Sequence, residues 1–235
     1  GLTAPTRLPY DRQPVEAHRT ESTATVRLSL AAPHSAALRA AAQRFGLTVN
    51  TVVQGAWALL LARYSGDSDV VFGTTVSGRP AELPGVEAMV GMFINTVPTR
   101  VTVPAAEPVA GWLRTLQAAQ SEARRFDWAA LSQLRAWSEL PAGTNLFDSV
   151  VVFENYPYDE AAVAAGELRL REVTSTDTTN FPLVLSAYLA DGLRLELAYD
   201  QRLFDTGTAE TLTRRLRLLL EAFATDPAQP VSALD

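Results

Sequence analysis

The order of hydrophobic patterns along the chain constrains its fold more than any other feature. Val26, Leu28 and Leu30 alternate with polar residues, which is typical of a half-buried strand. Further strand patterns lie at 69–76, 93–103, 147–154, 168–173, 183–189 and 193–199, and helical patterns lie at 33–45, 48–66, 110–125, 128–137 and from about 205. Because strands and helices are interleaved, the sequence predicts an α/β fold.

The late part of the chain predicts a mixed sheet. Asp191-Gly192 is a dipeptide typical of two-residue hairpin turns, and it separates the strand pattern at 183–189 from the one at 193–199. Two strands joined in this way pair antiparallel. We therefore expect a mixed β-sheet with helices packed on it.

The helix at 48–66 has the best-defined ends. Thr48 can cap its start through a side-chain oxygen, and Gly66 stands where helices commonly stop. Between them lies a broad apolar face that includes Val52, Trp57 and Leu60. A face of this width predicts burial against the sheet.

Residues 1–23 are interpreted as an arm that precedes the lobe at 24–235. Pro5, Pro9 and Pro14 disfavour helix, and the charged residues between them predict a solvated segment. Gly1 stands at the front without an initiator methionine, which suggests a fragment of a longer protein.

Composition excludes several classes of function. The formal net charge is −6, so the chain lacks the basic surface of a nucleic-acid-binding protein. No apolar run approaches the ~18 residues of a membrane helix. The sequence has no cysteine, which excludes disulfides and thiolate chemistry and is compatible with a cytoplasmic location.

The chain contains no complete acid–base or nucleophilic catalytic site of its own. Its two histidines are His18, among charges in the arm, and His34, just before a helix, and neither has the spacing of a triad. No glycine-rich phosphate loop precedes a helix, and every basic residue along the chain is an arginine.

Two other groups of side chains have ordinary structural interpretations. Four carboxylates would bind a metal only if they converged, and solvated loop positions are expected for Glu82, Glu87, Asp148 and Glu154. Three tryptophans at helical positions are expected to pack in the core: Trp112, Trp128 and Trp137.

A polar loop at 77–92 is the most distinctive local feature. Its glycines, Gly78, Gly85 and Gly91, indicate a loop specified by its backbone, and such loops either connect elements or reach something. The loop leads into an apolar run that contains Asn95, whose amide needs hydrogen-bond partners if it is buried.

The segments 71–80 and 90–100 resemble the condensation domain of nonribosomal peptide synthetases. The fifth core motif of that family reads roughly (I/V)GxFxNTxxxR, and its fixed positions are met here by Val90, Gly91, Phe93, Asn95, Thr96 and Arg100. Weaker likeness extends to the seventh motif at 145–157, to the end of the domain at 179–183 and 199–205, and to the inter-lobe connection at 7–12. The resemblance covers essentially the whole chain.

The resemblance implies a chloramphenicol acetyltransferase-like lobe. In that family two such lobes form a V around the active site, and the N-terminal lobe carries the catalytic motif HHxxxDG. This sequence has no His-His pair, so it resembles the C-terminal lobe alone. The sixth motif is weak, since Arg125-Phe126-Asp127-Trp128 stands where the family often has (H/N)QDxPFE.

The resemblance also implies roles for particular segments. Residues 77–91 would form a floor loop reaching under the partner lobe, with Ser77, Gly78, Arg79 and Gly91 as its marked positions. Residues 158–173 would form a latch that also crosses over. Apolar loop residues would then lose burial in the isolated lobe, as expected for Leu83, Val86 and Met92. The wall of the substrate tunnel would include Phe93, Asn95, Thr96 and Thr179.

The implied reaction is attack by an acceptor aminoacyl amine on a donor thioester, giving an amide. No cofactor would bind directly, because carrier proteins deliver phosphopantetheine arms. The implied partners are the N-terminal lobe, donor and acceptor peptidyl carrier proteins and an adjacent adenylation domain, with neither nucleic acid nor membrane.

Two alternatives remain open. An epimerisation domain belongs to the same superfamily, although its equivalent of the 93–96 stretch usually differs, so Asn95-Thr96 favours condensation. A degenerate condensation-like domain could instead recruit a carrier protein or tailoring enzyme without catalysis. An intact HHxxxDG motif upstream of Gly1 would favour the enzyme, and a degraded one would favour the recruiter.

Overall fold

The computed structural model describes residues 4–14, 22–79, 83–141, 143–154 and 180–234, and a six-stranded sheet runs through them. The strand order across the sheet is β1-β6-β5-β4-β2-β3. The strands are β1 Thr23–Ser29, β2 Asp69–Val76, β3 Asn95–Thr102, β4 Ser149–Glu154, β5 Leu183–Leu189 and β6 Leu193–Asp200. The strand predicted at 168–173 lies outside the described residues.

The pairing directions confirm the mixed sheet. β4 lies parallel to both β2 and β5, whereas the pairs β2–β3, β5–β6 and β1–β6 are antiparallel. The hairpin predicted at Asp191-Gly192 is present, since β5 and β6 pair up to Leu189 and Leu193. The sheet therefore has a parallel centre with antiparallel pairs on both sides, which makes it mixed.

Helices occupy the positions that the patterns predict. Their bounds are α1 Ala32–Arg44, α2 Val49–Ser65, α3 Val109–Ala123, α4 Leu131–Trp137 and α5 Thr206–Thr225. Both predicted ends of α2 are confirmed, because the Thr48 hydroxyl accepts a hydrogen bond from the Thr51 N–H at 3.0 Å. Gly66 ends the helix in the left-handed conformation with φ of 78°.

The main core lies between one face of the sheet and helices α1, α2, α3 and α5. Its largest fully buried side chains include Trp57, Phe72, Phe204 and Phe223. A smaller apolar cluster covers part of the opposite face and consists of Leu146, Phe147, Val150 and Val184, with α4 packed against it. The fold class predicted from the sequence is therefore confirmed.

The three tryptophans do not share one environment. Trp112 is buried, as expected, and its indole N–H donates to the Thr102 carbonyl at 2.8 Å. Trp128 and Trp137 are 66% and 67% exposed, so the expectation of core packing is wrong for both. Trp128 lies in a turn before α4 rather than in the helix, and α4 packs against the small cluster through Leu131 and Leu134 instead.

The expectation of a solvated arm is wrong for Thr6 and Leu8, which are buried, whereas Arg7 and residues 11–14 are exposed as expected. Leu8 is buried in the main core, and the Thr6 hydroxyl accepts a hydrogen bond from the Val71 N–H at 2.6 Å. The carboxylate of Asp11 accepts bonds from the Asp205 N–H (2.8 Å) and from Thr208 at the start of α5. Asp11 thus bonds the start of a helix while remaining exposed, and this contact helps to hold the arm on the lobe.

Among the helices of the described ranges, none taken singly is long and apolar enough to span a membrane. α1 and α2 taken together meet the length and composition test, but they are bent by 102°.

Candidate functional site

The name floor loop is kept for residues 77–91, which lie between β2 and β3 and are described at 77–79 and 83–91. The Arg79 guanidinium donates hydrogen bonds to the carbonyls of Val86, of Met89 at 3.1 and 3.2 Å, and of Gly91 at 3.4 Å. It also lies over the ring of Phe93, 4.3 Å from the ring centroid. One half-buried side chain therefore links four positions in the later part of the connection.

The base of the floor loop is closed by a contact that requires glycine. Gly78 has φ of 64°, and a Cβ atom built there would lie 1.7 Å from the carbonyl oxygen of Phe93. Both the backbone conformation and the close approach exclude a side chain. Gly78 and Phe93 thus hold the two ends of the connection against each other.

The tip of the floor loop exposes apolar side chains. Val90 and, just after the loop, Met92 are almost fully exposed, and Leu83 is also exposed, as expected for Leu83 and Met92. Val86 is only 4% exposed, so the expectation that it loses its burial is wrong. The 3-10 turn at Val86–Ala88 folds this residue inward.

Asn95 begins β3, and its amide bonds to protein backbone. Its Nδ2 donates to the carbonyls of Asp127 and Ala129, both at 2.8 Å, and its Oδ1 accepts from the Thr96 N–H at 2.9 Å. These bonds tie the start of β3 to the turn between α3 and α4. The placement of Asn95, Thr96 and Phe93 in a tunnel wall stays a prediction.

Exposed apolar side chains lie on both of the segments that Asn95 joins. Because the Asn95 amide reaches the carbonyls on either side of Trp128, the residues that flank these contacts are brought together. We define the patch by its exposed members Val90, Met92, Ile94, Phe126 and Trp128. Exposed apolar surface of this kind marks an interaction site more often than an isolated exposed side chain does.

A groove of about 570 Å3 lies between β2–β3 and helices α2 and α3. Its floor is a chain of neutral polar groups centred on buried Gln54. The Gln54 Oε1 accepts from the Gln120 Nε2 at 2.6 Å and from the Thr74 hydroxyl at 3.3 Å, and its Nε2 donates to Asn50 at 2.9 Å. The Thr74 and Thr99 hydroxyls bond each other at 2.7 Å. These mutual bonds offset the cost of burying the polar groups.

The open edge of β3 beside the groove is poorly suited to pairing with another strand. Pro98 has no N–H to donate, and the Thr96 N–H already bonds the Asn95 side chain. The Thr102 carbonyl already accepts from the Trp112 indole. This edge is therefore protected against strand addition.

Arg100, the last position of the fifth-motif match, forms a cross-strand ion pair with Asp69. The Arg100 Nη2 lies 2.6 Å from Asp69 Oδ2, and its Nε lies 3.0 Å from Oδ1. Hydrogen bonding to this guanidinium holds the pKa of Asp69 below its usual value. The ion pair links β2 to β3. Because both side chains are largely solvated, it adds little to the free energy of unfolding.

Asp127 lines the groove as a partly buried carboxylate. Burial raises the pKa of Asp127 above its usual value, against the opposing effect of Arg124. The folded state therefore holds this proton more tightly than the unfolded state, and stability falls as pH rises through the raised value.

The matching prediction is that Asp127→Asn gains stability relative to the parent chain as pH increases above the usual aspartate range. The asparagine stays neutral in both states, so it lacks the cost of ionising a buried group. Denaturant unfolding of both proteins at a series of pH values would measure the difference. A difference that stays constant across that series would contradict the assigned cause.

The segment that resembles the seventh motif forms structural contacts. The Asn145 side chain donates to the Asp148 carboxylate at 2.9 Å, and the Trp57 indole lies 3.4 Å from the Ser149 hydroxyl. Burial, together with the nearby carboxylate of Asp148, raises the pKa of Tyr10 in the arm above its usual range. The segment therefore joins the arm, β4 and α2.

Several candidate residues take no part in a described site. The described residues do not include Thr179, His18, Glu82 or the predicted latch at 158–173. His34 lies on the surface of α1, and its Nδ1 is 3.1 Å from the Glu221 carboxylate on α5. Within the described part of the chain, acidic and histidine side chains form no cluster that could hold a metal ion.

Sequence reasoning missed the groove and the full role of Arg79. Gln54 is a visible signal, because it is a polar residue in the apolar stretch from Val52 to Leu61. Arg79 carries no such signal. Its partners are backbone carbonyls seven to twelve positions later, and no side-chain pattern reports them.

Comparisons with known proteins agree on one family. The family model described as Condensation domain matches residues 1–235. The chain is 42% identical over 207 residues to a linear gramicidin synthase from Brevibacillus parabrevis, covering 88% of this chain and 4% of that protein. It is 40% identical over 191 residues to bacitracin synthase 3 from Bacillus licheniformis, covering 80% of this chain and 3% of that protein. The chain thus spans only a small part of the length of these synthases.

Among solved structures, the fold is similar to that of the X-domain from teicoplanin biosynthesis. That likeness has 29% identity and a TM-score of 0.82, and it covers 100% of this chain and 54% of the other. The X-domain in its complex with OxyB has 28% identity and a TM-score of 0.81, and the likeness covers 100% of this chain and 52% of the other. The chain thus spans about half the length of these solved structures.

Proposed function

Because the chain belongs to the condensation-domain family, we propose that it is the C-terminal lobe of a condensation domain in a nonribosomal peptide synthetase. The family match over the whole chain carries this proposal. The absence of a His-His pair supports the assignment to the C-terminal lobe, since the family motif HHxxxDG has no counterpart here.

In the proposed reaction the amine of the acceptor attacks the carbonyl carbon of the donor thioester. A C–N bond forms, the C–S bond breaks, and the thiol of the donor phosphopantetheine arm leaves with the proton lost by the amine. The group that positions the amine or accepts its proton comes from the partner lobe. The present chain contributes by shaping the space in which the two arms meet, which is catalysis by proximity and orientation.

The floor loop and the start of β3 are the parts of the chain that we assign to this task. The exposed tip around Val90 and Met92 would pack under the partner lobe. Phe93 and Thr96 would contribute to the tunnel wall, together with Thr179. Asn95 would act there by holding the start of β3 against the α3–α4 turn, as its three hydrogen bonds suggest.

The proposed partners follow from the same assignment. Donor and acceptor carrier proteins would deliver their phosphopantetheine arms, and an adenylation domain would lie in the same synthetase. We propose a cytoplasmic location, with which a chain free of cysteine is compatible.

The test of the proposed function compares the chain alone with the chain joined to the lobe that carries HHxxxDG. Loaded donor and acceptor carrier proteins are mixed with each, and the amide product is measured by mass spectrometry. We expect only background product from the chain alone, because it has no substitute for the missing base, and turnover from the two-lobe protein.

Two results would contradict this proposal. Clear turnover by the chain alone would show that the base is not in a partner lobe. A two-lobe protein that carries an intact HHxxxDG motif and accepts no pair of loaded carriers would argue against condensation. Replacing the second histidine of that motif by alanine is the control for background aminolysis.

A second candidate function is recruitment of another protein without catalysis. The observation that favours it is the likeness, over the whole chain, to an X-domain that is described in a complex with OxyB. In that case the two-lobe protein would bind a partner protein stably and would lack an intact HHxxxDG motif. The sequence of the preceding lobe and a binding measurement by gel filtration separate the two functions.

A further inference from the structure

We propose that Arg79 is a positioning residue that holds residues 83–91 of the floor loop in one conformation, so that the exposed side chains of Val90 and Met92 are already placed for the partner lobe. This inference rests on the proposed function for the identity of the partner, but not for the loop geometry. It assigns to one arginine the order of a segment that otherwise has little structure of its own.

The described part of the floor loop from residue 83 onward has few backbone hydrogen bonds that could fix its shape. Those described between residues 83 and 92 belong to the turn at Val86–Ala88: Val86 N–H to Leu83, Ala88 N–H to Gly85, and Met89 N–H to Val86, at 3.0–3.2 Å. A single turn of this kind does not determine a loop of this length. The contacts of Arg79 extend beyond the turn on its C-terminal side, to the carbonyl of Gly91 and the ring of Phe93.

The geometry of these contacts is specific to arginine. A guanidinium group presents five N–H donors in a rigid plane, and here that plane donates to three carbonyls while its carbon lies 4.3 Å from the ring centroid of Phe93. A lysine ammonium carries the same charge but lacks the planar fork, so it cannot reproduce both the carbonyl contacts and the stacking.

The preceding residue directs this arrangement. Gly78 lies against the carbonyl of Phe93 in a left-handed conformation that a side chain would prevent. The close approach at Gly78 brings the start of the connection to its end, and Arg79 then spans the distance across the loop. Gly78 thus brings the two ends of the connection together, and Arg79 orders the residues between them on the C-terminal side.

The consequence concerns Val90 and Met92, which the ordered loop presents almost fully to solvent. Exposed apolar side chains on a disordered loop would lose conformational entropy when a partner covers them, and this loss weakens docking. A loop already fixed by Arg79 avoids most of that loss. The exposed tip is therefore best understood as a preformed contact surface rather than a loosely packed connection.

The first experiment measures hydrogen exchange of the backbone amides at 83–93 by mass spectrometry in this chain. Arg79→Ala and Arg79→Lys should both accelerate exchange of the hydrogen-bonded amides of Val86, Ala88 and Met89, by about tenfold or more, and leave the core strands protected. Arg39→Ala is the matched control, because Arg39 also donates to a backbone carbonyl, that of Ala190, far along the chain from the loop. Unchanged exchange at 83–93 in Arg79→Ala would overturn the proposal.

The second experiment measures condensation by the two-lobe protein with loaded carriers. Arg79→Ala and Arg79→Lys should each lower kcat by between about tenfold and a hundredfold, with little change in KM for the carrier proteins. A merely structural role predicts instead a loss of folded protein in both variants, which the melting temperature reports. Normal kcat in a variant with accelerated exchange would overturn the functional part. Failure of the wild-type protein to turn over would count against the proposed function, and the exchange result would still stand.

Discussion

Replacing Phe147 by alanine should lower the free energy of unfolding by about 3–5 kcal/mol, the range seen when a fully buried phenylalanine is truncated. Phe147 is buried in the small cluster on the face of the sheet opposite the main core, and its ring stacks on Phe181 with centroids 5.4 Å apart. For a chain of this size the loss corresponds to a fall in melting temperature of roughly 6–20 °C. Calorimetry or denaturant unfolding measures it.

The neighbouring glycine makes the prediction for Phe147 sharper. A Cβ atom at Gly73 on β2 would lie 2.3 Å from a ring carbon of Phe147, so Gly73→Ala should also destabilise the chain. In the Phe147→Ala background that clash is absent, and the same glycine substitution should cost much less. The double-mutant cycle should therefore show strong coupling between the two positions.

Phe126→Ala is the matched control for Phe147→Ala, because it removes the same side chain from an exposed position in the apolar patch. We expect it to change stability by no more than about 0.5 kcal/mol. Equal costs at Phe126 and Phe147 would mean that the small cluster contributes nothing particular to the fold.

The elements of the fold were predictable because each depends on a local pattern. The ends of α2 follow from Thr48 and Gly66, and the hairpin follows from Asp191-Gly192. The environments of Trp128 and Trp137 were not predictable in this way. Their exposure depends on where α4 begins and on which of its faces meets the small cluster. Both are set by tertiary packing rather than by the local pattern.

The arm illustrates the same limit. Prolines and charges between residues 5 and 14 are typical of solvated segments, and yet the structure buries Leu8 there. The charge of Asp11 is satisfied by the start of α5, nearly two hundred residues later in the chain. A pattern within the arm cannot report a partner at that distance in sequence.

The candidate site was located by its motif but not explained by it. The match from Val90 to Arg100 places the candidate residues in one short segment, because those residue types at that spacing resemble the family motif. The bonds that give them roles are irregular, such as those from Arg79 to loop carbonyls and from Asn95 to the α3–α4 turn. Contacts of a side chain with a distant backbone leave no periodic trace in a sequence.

Asn95→Leu should lower the free energy of unfolding by about 2–3 kcal/mol, because it leaves two carbonyls and one N–H without their partner. These groups are partly buried, so water replaces the lost bonds only in part. A fall in melting temperature of roughly 5–10 °C follows for a chain of this length. If Asn95 only lined a tunnel, the same substitution would slow condensation by the two-lobe protein and leave the melting temperature within a few degrees.

Two further variants distinguish the role of the Asn95 amide from that of its shape. Asn95→Asp keeps the size of the side chain but places a carboxylate against the carbonyls of Asp127 and Ala129, so at neutral pH it should be at least as destabilised as Asn95→Leu. Acidification should restore part of its stability, since a protonated carboxyl group can donate to one of the two carbonyls. Asn145→Leu is the control, because that exposed asparagine donates only to the Asp148 side chain, and its loss should cost less than about 1 kcal/mol. An Asn95→Asp protein as stable as the parent at neutral pH would show that the two bonds to the α3–α4 turn do not hold β3 in place.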